Sequence, residues 1–311
     1  MQCLEIIYVK QHCPEKITPM KNLTRIFAFF LLAFLTSCAA NSGTTKNEVT
    51  DSTLLWEITG NGLEKPSYLY GTFHMMCGDQ FTFPAKLDRV MQNTEQTVLE
   101  INFSDMAQMA EMQKFLLADK KLSETYTAAE LVRFRKGIAD YGMKLEDVDQ
   151  FSPMALYSML TMKFFDCAPT EMKIADMEIM QKTIAQGKKV DGLESIAMQA
   201  ETFSKYLSPA ELLKMVESYE KSKDQTNHML NLYLKEDIAA LSALMHDETQ
   251  MTKDQQKVLL DNRNINWLTK MPAMMKDKPT LFAVGAGHLI GDQGVITLLR
   301  EKGYTVKPIF K

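Results

Sequence analysis

The sequence has no excess of positive charge. Its 35 Lys and Arg are outnumbered by 39 Asp and Glu, and residues 1–37 hold four basic and two acidic groups, so of the net −4 the remainder carries −6. A body of that sign lacks the basic footprint nucleic acids require, and no nucleic-acid partner is expected. Long apolar runs are missing too: the unbroken stretch Ile26–Leu35 is too short to span a bilayer. Cysteine is sparse, and three of the five lie before residue 40, leaving Cys77 and Cys167 in the body of the chain. What is present, 46% hydrophobic and 24% charged residues, excludes wholesale disorder and describes a folded protein of one large domain or two ordinary ones.

The N-terminal stretch reads as a targeting segment. Lys21 and Arg25 precede the apolar run, and Thr36-Ser37-Cys38 follows it, which is the basic, apolar, small-residue order of a secretory signal. Residues 20–37 are expected to be that signal, with Met20 as the true start and residues 1–19 a mis-assigned prefix. Leu35-Thr36-Ser37-Cys38 resembles the lipobox of bacterial lipoproteins, which makes Cys38 the lipidated residue. The implied location is exported and lipid-anchored, at the outer membrane facing the periplasm, touching the bilayer only through the lipid. Residues 38–52, rich in Ser, Thr, Asn and Lys, read as a flexible tether. Export would permit a Cys77–Cys167 disulfide, and two unpaired buried thiols are the other reading.

From residue 53 to 311 an α/β domain is expected. Leu54–Ile58 and Ser67–Tyr70 flank the turn Gly60-Asn61-Gly62 and suggest a hairpin. Two further units resemble each other. Tyr68-Leu69-Tyr70 runs into Gly71-Thr72-Phe73-His74, and Leu281-Phe282-Ala283-Val284 runs into Gly285-Ala286-Gly287-His288. After each come a Gly-Asp-Gln triplet, a helix-like stretch and a second strand, Thr97–Ile101 and Tyr304–Phe310. The fold class is therefore α/β, a central sheet built from two strand–GxxH–helix–strand units. Between them lies a mainly helical insertion, about 105–275, with capping boxes at Thr127/Glu130 and Ser208/Glu211, a helix over 170–186 closed by Gly187, and a short strand over 188–194. The many methionines read as irregular core filling.

A histidine just past a strand end faces the crevice above a sheet, where α/β folds place ligands. Two in matched settings predict a shared site, with glycine at the first motif position allowing a tight turn. Glu100, a charge inside Val98-Leu99-Glu100-Ile101, is costly there unless paired or metal-bound, and its strand is expected beside the one leading to His74. Two imidazoles and a carboxylate suit a divalent transition metal with an open position for water. His228 and His246 sit in polar helical contexts and read as solvated.

Gly71-Thr72-Phe73-His74, Leu99-Glu100, Gly192-Leu193-Glu194, Asn262-Arg263-Asn264 with Trp267, and Val284–Leu289 followed by Gly303–Val306 together resemble the TraB/PrgY/GumN family, which includes the Tiki proteins. The resemblance implies a fold like that of erythromycin esterase and ChaN-type proteins. For the Tiki branch it implies metal-dependent peptide-bond cleavage favouring manganese or cobalt, with zinc left open. The implied metal set is His74, Glu100 and His288. Glu100, Glu194 and Arg263 are the catalytic candidates, Glu194 as ligand or general base, Arg263 to hold a substrate carboxylate or to orient Glu100. Two alternatives stand beside a lipid-anchored metallopeptidase: a non-catalytic lipoprotein that binds a peptide or small ligand, and a metal-free esterase-like hydrolase with His74 or His288 as base.

Overall fold

The computed structural model describes residues 52–249 and 251–311; the expected prefix, signal, lipidated Cys38 and all of the tether before Ser52 lie outside them. Among the described residues eight strands form: β1 (Leu55–Gly60), β2 (Ser67–Thr72), β3 (Met75–Cys77), β4 (Gln96–Ile101), β5 (Met172–Ile174), β6 (Lys189–Glu194), β7 (Thr280–Gly285) and β8 (Tyr304–Pro308). Six make one sheet in the order β6-β4-β7-β2-β1-β8, and β3 and β5 make a separate ribbon. The pairs β6/β4, β4/β7 and β7/β2 are parallel, while β1 runs antiparallel to both β2 and β8. All six residues of each of β2, β4 and β7 are buried, as expected of parallel strands covered on both faces.

The β1–β2 hairpin forms at Gly60-Asn61-Gly62, all three in the left-handed region. The strand order differs from the sequence-based expectation. β4 pairs with β6 and β7, so Glu100 lies beside the strand leading to His288, and β2 is one strand further away. The reason is that both crossovers skip neighbours: from β2 the chain passes through the helix Ala85–Asn93 to β4, and from β7 through Val295–Glu301 to β8, in opposite directions across the sheet. That leaves the carboxyl ends of β4, β7 and β2 adjacent where the connections diverge, the usual place for a ligand crevice.

The stretch 105–275 is helical but not uniformly so. Residues 172–174 are strand β5, paired with β3 in the ribbon, so the helix expected from 170 covers only Ala175–Ala185; Gly187 follows at φ +68°. β6 forms a sheet edge. Thr127 and Glu130 make both bonds of the capping box, and Ser208 accepts from the Glu211 N–H with Pro209 at the first helical turn. Met76, Met91, Met180, Met271 and Met275 are buried, whereas Met106 and Met198 are exposed, so core filling accounts for some methionines only.

Cys77 and Cys167 form a disulfide across a sequence separation of 90. In the chain-entropy account, closing a loop of that length contributes about 4–5 kcal/mol. A second apolar cluster, around Phe134, Ile138, Leu156 and Val216, holds the helical block together. Gly137, in the helix Ala128–Asp140, is pressed against the Val216 backbone: a Cβ there would meet the Val216 carbonyl oxygen at 2.7 Å. Gly137→Ala is expected to lower the unfolding free energy by about 1–3 kcal/mol through overpacking, read by urea denaturation, with the His74 and His288 environments unchanged.

Candidate functional site

The turns after β2 and β7 hold each other's space. A Cβ at Gly71 would lie 3.1 Å from the Ala286 Cα and 3.1 Å from Leu289 Cδ2, while a Cβ at Gly285 would lie 3.1 Å from His74 Nε2 and 3.3 Å from Glu100 Oε1. Each motif's glycine thus makes room for the other motif. Neither glycine has positive φ, and Gly285 sits at φ −52°, so the expected tight-turn role is corrected: both are glycine for close approach.

Glu100 is the centre of the cluster and is 6% exposed. Its Oε1 accepts from the Gly285 N–H at 2.8 Å; its Oε2 accepts from Arg263 Nη2 at 2.5 Å and from Gln199 Nε2 at 3.0 Å. Burial alone would raise its pKa; His288, Arg263, His74 and the Gly285 N–H together push it well below the carboxylate range.

Arg263, in the helix Asn262–Trp267 that follows a π-helical turn at Lys257–Asp261, spends every N–H it has. Nε donates to both Glu194 oxygens at 3.0 and 3.1 Å, Nη2 to Glu194 at 2.9 Å and to Glu100, and Nη1 to the Leu259 carbonyl and to His288 Nε2, both at 3.0 Å. Five donors are therefore committed, and none is spare for a substrate carboxylate. Glu194 accepts a further bond from Trp267 Nε1 at 2.8 Å. Both are buried: Arg263 is 8% exposed, and Glu194 lies in an ion pair at the end of β6.

The two histidines differ. His288, 3% exposed, sits in the 3-10 turn Ala286–His288. Asn264 fixes its tautomer: Nδ2 donates to the carbonyls of His288 and Gln293, so Oδ1 must accept from His288 Nδ1–H at 2.7 Å. Nε2 is then the acceptor for Arg263 Nη1 at 3.0 Å, with Glu100 Oε1 3.8 Å away. Burial is the largest influence and, with Arg263 and His74, pushes the His288 pKa down to about 3 against the pull of Glu100.

His74 lies at the mouth, its side chain 60% exposed, with Nδ1 on Asp176 Oδ2 at 3.3 Å. Asp176 is itself buried and accepts from Thr72. Desolvation by surrounding protein opposes charge on His74, but the Asp176 bond and the Glu100 and Asp176 charges outweigh it and raise the pKa to about 9. Solvent at the exposed ring screens part of both effects, so Asp176 and Glu100 set the direction.

The structure thus gathers His74, Glu100, Glu194, Arg263 and His288 at the carboxyl end of the parallel strands. Asp176 and Gln199 were missed, and nothing in the sequence marks either one: an Asp in a first helical turn and a Gln on a helix are commonplace. His228 and His246 are exposed, and the His246 ring lies against Gly291, three residues past His288.

Among the described residues no group of three or more His, Cys, Asp or Glu side chains already closes around a single point. The donor chemistry still fits a divalent ion. Both imidazoles have Nδ1 tied to an outer partner, the outer-shell pattern of metal-ligating histidines; His288 Nε2 lies 3.8 Å from Glu100 Oε1, and His74 Nε2 borders, with that same oxygen, the space a Gly285 Cβ would fill. Three carboxylates, Glu100, Asp176 and Glu194, also outnumber the one guanidinium. Arg263 is the competitor, since its Nη1 occupies His288 Nε2.

A model of the TraB/PrgY/gumN family matches residues 54–308. The chain belongs to that family. No curated protein and no solved structure matches it.

The depressed pKa of His288 has a stability consequence. An unfolded His288 takes up its proton near its ordinary 6.5, the folded one only near 3, so stability held above pH 6.5 is lost as pH falls through that window. His288→Gln should flatten the fall in unfolding free energy between those pH values, measured by urea unfolding of both proteins at matched pH.

Proposed function

We propose that this protein is a hydrolase acting on peptide bonds, exported and tethered by lipid at Cys38, whose reaction centre is the His74–Glu100–His288 cluster. The observation that carries the reading is one small space beside Gly285: His74 Nε2 and Glu100 Oε1 both border it, and His288 Nε2 lies 3.8 Å from that oxygen. His74, His288 and Glu100 would hold a divalent ion, manganese or cobalt in preference to zinc by family, and such an ion lowers the pKa of a bound water and polarises a carbonyl. Asp176 and Asn264 fix the two rings. Arg263 orients Glu100 and balances its charge, and Glu194 in turn holds Arg263. Gly285 keeps the gap beside Glu100 clear of side chain.

A metal-free reading is favoured by one observation, the opposite shifts of the two histidines. A ring neutral down to about pH 3 beside one charged up to about pH 9 is the split that assigns base and acid. Peptide-library cleavage before and after chelation separates the two: loss of cleavage supports the metal-assisted reading, persistence the acid–base one, and no cleavage by either the manganese-loaded or the chelated protein contradicts both.

Two outcomes are expected of binding. By calorimetry, His74→Ala and His288→Ala should each weaken manganese binding by about 100-fold or more, and Asp176→Asn by roughly 10–100-fold, as outer partners do. Because the ion must displace the proton His74 holds up to about pH 9, affinity should fall as pH drops below that value. Gly285→Ala should lower turnover far more than stability, read as kcat against Tm, since its Cβ would enter the gap between His74 and Glu100.

A further inference from the structure

The small ribbon β3–β5 stands apart from the main sheet, and its two ends do different things. At one end, Ala175 N–H donates to the His74 carbonyl at 3.1 Å and Asp176 meets the His74 ring. Between the ends, Met75 faces Ile174, Met76 faces Lys173 and Cys77 faces Met172. At the other end, the Gly78 N–H donates to the Glu171 carbonyl at 2.9 Å and the Cys77–Cys167 disulfide closes the ribbon. The histidine and the carboxylate that orients it therefore arrive on opposite strands of one stapled element.

Three paired residues per strand are too few to hold such a ribbon unaided. The pairing is also non-local, since β3 and β5 are separated by the long helical run between them, and non-local pairing carries a loop-closure cost that a covalent link removes. Ile174 and Lys173 are exposed, so β5 contributes little burial to offset that cost. The bridge is also approachable. A cavity of about 490 Å³ is lined by both cysteines together with Asp79, Asp166, Glu171 and Asn227.

We propose that Cys77 and Cys167 are positioning residues for His74: their disulfide keeps the His74–Asp176 pair in register, and a dithiol reductant entering the adjoining cavity loosens that half of the site while the main sheet stays folded. The inference rests on His74 belonging to the reaction centre. The chemistry is thiol–disulfide exchange. A reductant thiolate attacks one Sγ and the other leaves as thiolate and is protonated. The second reductant thiol then displaces the remaining Sγ, so the protein gains two thiols and the reductant becomes a disulfide.

The test is hydrogen exchange with mass spectrometry on the full chain, oxidised, reduced with dithiothreitol, and as C77A/C167A. Expected is roughly tenfold or faster exchange on reduction in the stretches 73–78 and 171–176, with β2, β4 and β7 still protected, the signature of local opening. Manganese affinity should fall with the ribbon's protection and return on reoxidation. Unchanged ribbon exchange would overturn the proposal, and so would loss of protection throughout the sheet, which would make the bridge a global brace. If C77A/C167A does not fold, timed reduction of the native chain decides by the same criteria. Failure of manganese to bind even the oxidised chain would count against the functional reading alone, because ribbon exchange is read without it.

Discussion

A carboxylate one residue from the end of a fully buried strand is costly to keep there, and Arg263 is what makes it tolerable. Taking Glu100 out of water costs several kcal/mol that only good geometry offsets. That geometry comes from three directions: the Gly285 N–H from the neighbouring strand, Gln199 from a helix, and the guanidinium from the helix Asn262–Trp267. Arg263 can serve because Glu194 and the Leu259 carbonyl absorb its other donors and the Trp267 ring lies beside it, 5.2 Å from the guanidinium carbon. Remove any one member and a charged or polar group is left buried without its partner, which is dearer than the whole network left intact.

Around that fixed charge the tandem turns are mutually dependent. Gly71 admits the second turn and Gly285 admits the first histidine, so each turn packs into space the other leaves open. Placing β7 between β4 and β2 puts Glu100 and both turns on three adjacent strands. The duplication is one of sequence pattern more than of environment. His288 is enclosed and held by a neutral amide, whereas His74 is open to solvent and held by a carboxylate. One ring is kept neutral and the other is drawn toward charge, from the same four-residue motif.

Much of this was legible in the sequence because it is local or repeated. The hairpin at Gly60-Asn61-Gly62, the capping box at Thr127 and the stop at Gly187 each follow from short-range backbone chemistry. The pairing of His74 with His288 was readable because two strands ended in the same pattern. Strand order was not, since nothing within Leu281–Val284 states that it inserts between β4 and β2; that is set by crossovers whose length leaves several arrangements open. The β5 ribbon was read as helix because Met172–Ile174 runs directly into helical residues and its partner lies far away in sequence. Asp176 and Gln199 were invisible for the same reason: their roles exist only through contacts with distant residues. The glycine roles were misassigned because a sequence shows that a side chain is missing but not what occupies its place.

The claim at the centre of this account is that His74, His288 and Glu100 address one point in space. The most direct measurement is anomalous X-ray scattering from crystals of the protein soaked in cobalt. The account predicts one strong peak within about 2.0–2.3 Å of both histidine Nε2 atoms and a Glu100 oxygen, with Arg263 drawn off His288. A peak bound by one histidine alone, or one elsewhere on the protein with the Arg263–His288 bond intact, would contradict it.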